Sequence, residues 1–227
     1  MPAVRRPKRQ KIADAVLSLR PVSYWPLDDS AGTTAVDLST RLNGTYTNGR
    51  TFSSGLDGLR VPVFTPASNQ YVLVGNQSTL RTSNITLMAF VAPTGISAVA
   101  DKGIAGVQNT SFDGYGLRLD TNVPKWRVGS GAAVTTITGP TLTDNRWSLL
   151  IGVQDGANAS LYVDGSRYDF AAAAYSIGYG ATVNFYIGQW DGNVTRSFGG
   201  SIQHVAVWNR ALSASDIRYL GDVVRGS

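Results

Sequence analysis

The sequence of 227 residues has no cysteine, no glutamate, two methionines and a single histidine, His204. Each absence removes chemistry. Without Cys there is no disulfide framework, no thiolate zinc site and no Cys-His nucleophile. Without Glu, and with one His, the H-E-x-x-H metalloprotease helix cannot be written. Glycosidases built on a carboxylate pair mostly use at least one Glu, so only an all-Asp version would fit here. No apolar run approaches the ~18 residues that a membrane helix needs. The first residues are too polar for a signal peptide, and Ile12 to Leu19 is too short and too interrupted for its apolar segment.

What is present is unevenly distributed. The net charge of +5 comes from the N-terminus, where Arg5, Arg6, Lys8, Arg9 and Lys11 stand with no acid among them. Beyond them basic and acidic side chains balance. Residues 1–11, with two prolines and little apolar content, read as an extended basic arm. Ile12, Ala15, Val16 and Leu19 then recur at helical spacing, which predicts a short helix over 12–20, stopped by Pro21.

From Tyr24 the apolar period becomes two. Ile85, Leu87, Ala89 and Val91 alternate with Thr86, Met88 and Phe90, and Trp147 to Gln154 alternates likewise, so both are strands. Further strands are expected at Tyr71–Val74, Tyr115–Leu119, Trp126–Val128, Leu161–Val163, Val183–Ile187 and Ile202–Trp208. Asp-Gly pairs at 57, 113, 155, 164 and 191 punctuate them as turns. Ser213 followed by Asp216 resembles a capping box and opens a last helix. Twenty-five Gly and nine Pro among many short strands point to an all-β, two-sheet antiparallel jelly-roll sandwich over 21–227, carrying the short helix and basic arm.

Three segments resemble the laminin G-like, concanavalin A-like superfamily in the right order. They are DAVLSLRPVSYWPLDDSAGTTAVDLSTRLNGTY (Asp14 to Tyr46), DNRWSLLIGVQDGANASLYVDGSR (Asp144 to Arg167) and FGGSIQHVAVWNRALSASDI (Phe198 to Ile217). The resemblance covers roughly residues 12–220 and implies the jelly-roll fold. Gln203 and His204 depart from it, since the family often places an acidic pair in this last strand.

The resemblance also implies candidate sites. Many such domains hold one Ca²⁺ at the sandwich rim, and Asp37 in the Asp-Leu-Ser loop is the matching position; the alternative is a turn Asp bonding its own backbone. Glycan binding needs an exposed aromatic flanked by planar hydrogen-bonding groups, and Trp190, Asp191, Asn193 and Arg196 supply that set. An interface or rim role is the alternative for Trp190. Trp25, Trp147 and Trp208 are assigned to patterned strands as core or half-buried, Trp126 is left open to exposure, and His204 is expected to be an exposed strand residue.

The functional expectation is a non-enzymatic virion accessory protein of the kind in which these domains occur in phages, above all a capsid decoration. Its arm residues Arg5, Arg6, Lys8, Arg9 and Lys11 would bind capsid or other virion proteins. The sandwich would form a homo-oligomer, expected as a trimer, or display a rim for host glycans. Such a protein is made in the host cytoplasm and sits on the virion surface. No cofactor is required, with Ca²⁺ as the candidate ion, and neither membrane insertion nor nucleic-acid binding is expected, because the body lacks a basic face with stacking aromatics. The alternatives are a stand-alone carbohydrate-binding lectin-like module and, third, an Asp-dependent glycan hydrolase or lyase.

Overall fold

In the computed structural model the described residues are 8–56, 58–95, 101–109, 113–180 and 183–226, with the side chains of 8–10 left aside. The chain begins with α1 (Lys8–Ser18), β1 (Ser23–Trp25), β2 (Thr34–Ala35), β3 (Gly44–Thr47), β4 (Thr51–Ser54), β5 (Arg60–Phe64), β6 (Tyr71–Gly75) and β7 (Ile85–Pro93). It continues through β8 (Lys102–Gln108), β9 (Asp113–Asp120), β10 (Val123–Ser130), β11 (Val134–Thr138), β12 (Ser148–Gln154), β13 (Asn158–Val163) and β14 (Ser166–Ala172). β15 (Phe185–Ile187), β16 (Gly200–Trp208) and α2 (Ala214–Arg225) complete it.

The strands form two antiparallel sheets. Sheet A runs β14-β13-β12-β7-β16-β5-β4, with β1 also paired to β16. Sheet B runs β11-β10-β9-β8-β15-β6-β3-β2. Their facing sides interlock through Trp25, Leu87, Val91, Tyr115, Leu117, Trp126, Phe185 and Val207, all buried. Trp126 is thus interior, with its indole N–H donating to the Val153 carbonyl at 3.1 Å.

A second apolar layer lies on the other side of sheet A. Ile12, Ala15 and Val16 of α1 and Ile217 and Leu220 of α2 cover Met88, Phe90, Ile151, Ala206 and Trp208. This is why β7, β12 and β16 are buried on both faces and read as near-continuous apolar runs. The apolar stripe of α1 therefore belongs to the sandwich's own packing. Its last turn is closed by the Trp208 indole and the Arg210 guanidinium, which donate to the Leu19 carbonyl at 3.0 and 2.9 Å. The capping box of α2 forms between Ser213 and Asp216.

Three sequence expectations shift. The helix begins at Lys8, so Lys8, Arg9 and Lys11 are helical rather than part of an extended arm. Arg5, Arg6 and the turn residue Asp57 lie outside the described residues. Asp113 and Gly114 open β9 instead of forming a turn. His204 is fully buried, not exposed: it sits at φ 50° where β16 slips register against β7, and its Nδ1 lies 2.7 Å from the Tyr24 hydroxyl. The bulge turns its ring toward Tyr24 and Phe90 in the helix-covered layer, an environment that strand alternation does not announce.

Candidate functional site

One side of sheet A is sealed by helices, and the candidate site lies on the outer side of sheet B. Strand alternation fixes what stands there. Leu117 and Leu119 of β9, Trp126 and Val128 of β10, and Phe185 and Ile187 of β15 point into the core. Arg118, Arg127 and Tyr186 therefore point outward. Arg127 pairs with Gly116 and Lys125 with Arg118, which makes the two arginines diagonal neighbours on adjacent strands. Tyr186, Gly106, Gly116 and Arg127 stand side by side in one cross-strand row. The two glycines leave a gap between the tyrosine and the arginine, filled in part by Gln108, whose Cδ is 3.0 Å from where a Gly116 side chain would begin.

The chain leaving β15 folds back over this face. Gly103 of β8 is the seat: a Cβ there would lie 2.2 Å from the Gln189 carbonyl carbon and 2.3 Å from the Trp190 nitrogen. Beyond it the loop is held by its own polar side chains. Asp191 accepts from the Asn193 N–H at 3.2 Å, and Asn193 accepts from the Thr195 N–H at 2.9 Å, starting a short 3-10 turn at Val194–Arg196. The Ser197 hydroxyl donates to Asn69 at 3.0 Å.

This folding places Trp190 at the centre of a cationic cluster. The Cζ atoms of Arg118, Arg127 and Arg196 lie 4.5, 5.0 and 5.0 Å from its ring centre. Guanidinium groups at these distances are attracted to the indole's negative π face. Arg118 pairs with Asp101 at 2.8 Å, Arg196 pairs with Asp191 at 2.9 Å, and the Lys102 ammonium donates to the Thr195 carbonyl at 2.7 Å. Four cations thus gather at the ring, and among the described residues Asp101 and Asp191 pair with Arg118 and Arg196. Burial pushes Arg118 down to about 10 against the opposing pull of Asp101, and burial also lowers Arg127 and Lys102. Among the described residues the buried Arg118 Nε, Gln189 Oε1 and Trp190 Nε1 atoms have no hydrogen-bond partner.

The family model described as the concanavalin A-like lectin/glucanases superfamily matches residues 66–218, more than half of the sequence. The chain belongs to this superfamily. Its fold is that of carbohydrate-binding lectin-like domains. Domain 4 of AbnA, an extracellular GH43 arabinanase from Geobacillus stearothermophilus solved with arabinotriose, superposes with a TM-score of 0.68 at 15% identity, covering 89% of this chain and 98% of that one. The binding domain of Paraclostridial Mosquitocidal Protein 1 gives 0.71 at 17% identity over 91% of this chain, which spans about half (52%) of that structure. The CBM40 of the Ruminococcus gnavus IT-sialidase, bound to α2,6-sialyllactose, gives 0.54 at 15% identity, covering 63% of this chain and 85% of that one. No curated protein matches the sequence.

Against this superfamily frame, the residues picked from sequence divide. Trp190, Asp191, Asn193 and Arg196 do lie together on one loop, but Trp190 is not the exposed stacking surface expected of it. It is only 4% exposed, because Arg118 and Arg127 rise from the sheet to meet it. Asn193 is exposed, and Arg196 is the accessible cation of the cluster. Asp37 is buried at the rim, and its carboxylate accepts from the N–H groups of Tyr24, Ser39 and Leu42 at 2.7, 2.9 and 2.9 Å. It also accepts from the Thr40 N–H and hydroxyl at 3.3 Å. The carboxylate proposed as a calcium ligand is thereby engaged by its own loop, and among the described residues no three His, Cys, Asp or Glu side chains gather as an ion's ligands would. Lys102, Arg118, Arg127 and Gln189 escape sequence reading. A signal existed in Leu-Arg-Leu and Trp-Arg-Val, each a cation between inward residues, but only the strand register brings the two together.

Among the described residues no helix is long and apolar enough to cross a membrane. The arm residues Lys8, Arg9 and Lys11 are placed on α1, at the opposite side of the sandwich from the Trp190 loop.

Proposed function

We propose that this protein is a non-catalytic carbohydrate-binding module that binds its glycan at the Trp190 loop on the outer side of sheet B. The observation that carries the reading is the rim of that loop. Half-buried Tyr71 and Tyr186 meet edge to face at 5.7 Å, and the Tyr186 hydroxyl lies 3.2 Å from where a Gly192 side chain would begin. Exposed Asn193 and Thr195 and the guanidinium of Arg196 follow directly. Aromatic faces beside planar amide and guanidinium groups are what a sugar's apolar face and hydroxyls require. The absence of Glu from the sequence, and the ion pairs that occupy Asp101 and Asp191, support binding without turnover.

The test is a glycan array followed by calorimetric titration of the oligosaccharides retained. Binding is expected to fall at least ~10-fold in Tyr186→Ala while the circular dichroism spectrum is kept. Silence across neutral and acidic glycans would overturn the reading. Release of new reducing ends from a bound glycan would overturn its non-catalytic half.

A second reading, a virion decoration protein, is favoured by one feature: the basic start of α1 and the glycan rim occupy opposite sides of the sandwich. An anchor on one side and an adhesive surface on the other is what a particle-bound lectin needs. Co-sedimentation of residues 1–227 with capsids, lost when residues 1–11 are removed, would support it. A monomer indifferent to capsids would exclude it.

A further inference from the structure

The charge at the Trp190 loop narrows the ligand class. We infer that the outer edge of this cluster binds the carboxylate of an acidic sugar, with Arg196 as the fork that receives it and the Trp190 ring as the surface that holds the fork. The inference rests on the glycan-binding reading and deepens it.

Arg196 is the cation in a position to do this. Its side chain is 28% exposed, whereas Arg118 and Arg127 are each more than nine-tenths buried. It spends one N–H on Asp191, through Nη1, and its remaining donors have no partner among the described residues. A guanidinium has five donors in a planar array, and a carboxylate matches two of them in parallel. Packing of its Cζ against Trp190 fixes the orientation of that plane, so less side-chain freedom is lost on binding.

Behind Arg196 lie three further cations. Among the described residues Arg118, Arg127 and Lys102 stand in the same cluster, whose Asp101 and Asp191 pair with Arg118 and Arg196, and the Arg118 Nε and Trp190 Nε1 donors are buried without hydrogen bonds. A folded protein rarely leaves buried donors unpaired or groups more buried cations than anions. An arriving carboxylate brings negative charge toward all four cations, although it touches only the outermost. A neutral sugar supplies none of it.

The experiment compares ligands that differ in the carboxylate alone. Residues 1–227 are titrated calorimetrically with trigalacturonate and its methyl ester, and with α2,6-sialyllactose and lactose, at ~50 mM and ~500 mM salt. The acidic member of at least one pair is expected to bind about tenfold tighter or more at low salt, with the ratio shrinking at high salt. Arg196→Gln should bring that ratio to about one with the circular dichroism spectrum kept, and Arg196→Lys should restore part of it. Asp191→Asn, which removes the internal competitor for Arg196, should raise affinity for the acidic sugar, an effect that a purely structural role for Asp191 would not give. Equal binding of acidic and neutral partners, or an Arg196→Gln ratio equal to that of the unaltered protein, overturns the charge inference while glycan binding stands. No binding of any of the four sugars, or of any array glycan, overturns both.

Discussion

Asp37→Ala is the most informative single change for the fold's rim, because the carboxylate is 2% exposed and accepts five hydrogen bonds from one loop and one strand. Three of these, from Tyr24, Ser39 and Leu42, are 2.7 to 2.9 Å long and two, from Thr40, are 3.3 Å. A hydrogen bond to a charged acceptor contributes ~1.5–3 kcal/mol when its donor would otherwise be buried without a partner. The Tyr24 N–H is fully enclosed and counts in full, while the Ser39, Thr40 and Leu42 donors sit at the rim, where water replaces part of what is lost. Asp37→Ala should therefore cost about 3–5 kcal/mol, in the range reserved for broken buried networks. Asp37→Asn keeps one oxygen acceptor and should cost about half as much. Urea unfolding followed by Trp fluorescence measures this, with an unchanged m-value showing that only stability moved. In the same assay ~1 mM Ca²⁺ should leave the midpoint of the unaltered protein where it was, since a bound ion would add roughly RT ln(1 + [L]/Kd). A Ca²⁺-dependent rise that disappears in Asp37→Asn, or a loss below ~1 kcal/mol in Asp37→Ala, would refute the hydrogen-bond account.

Three further outcomes follow from the same geometry. Burial holds Asp29 above its ordinary 3.8 despite the Tyr46 hydroxyl at 2.9 Å, so the folded state keeps a proton that the unfolded chain has released, and stability falls as pH rises from 3.8 through the raised value. Asp29→Asn, which retains an acceptor for Tyr46, should flatten that fall; an unaltered pH profile of the urea midpoint would count against it. Gly103→Ala drives a methyl group into the Gln189–Trp190 backbone and should cost about 2–4 kcal/mol together with glycan binding, whereas Gly49→Ala, with open space around it and strain only from φ 74°, should cost ~1 kcal/mol by chemical denaturation. Trp190→Ala should lose ~3–5 kcal/mol by the same method, and a near-neutral result would show that the indole is not the centre of the cluster.

The fold was legible because its signals are local and repeated. Alternation in Ile85–Val91 and Trp147–Gln154 survives as β7 and β12, the stripe from Ile12 survives as the buried face of α1, and Asp164-Gly165 takes the φ of 50° and 83° that a tight hairpin turn demands. What failed were features set by distant partners. His204 is expected as an exposed strand residue, yet a one-residue bulge turns it inward. Gly-rich β8, with Gly103 and Gly106, offers little apolar pattern; its side-chain-free positions make sense only once the Gln189–Trp190 backbone is seen lying on Gly103 and the Tyr115–Gly116 backbone against Gly106.

The same distinction decides how the candidate site can be probed. Sequence singled out Trp190 as an aromatic beside polar neighbours, and that composition is equally what a buried cation-π hub shows. The difference lies in Arg118 and Arg127, more than sixty residues away in sequence and supplied by two strands in a register that composition does not encode. Once they are in place, the indole ceases to be a surface on which a sugar stacks and becomes the support that aims Arg196. Loss of binding in Trp190→Ala would then report a collapsed loop as readily as a lost contact. Arg196, with its single ion pair and partial exposure, separates the two, because its removal takes away charge at the rim and leaves the packing of Trp190 on Arg118 and Arg127 in place.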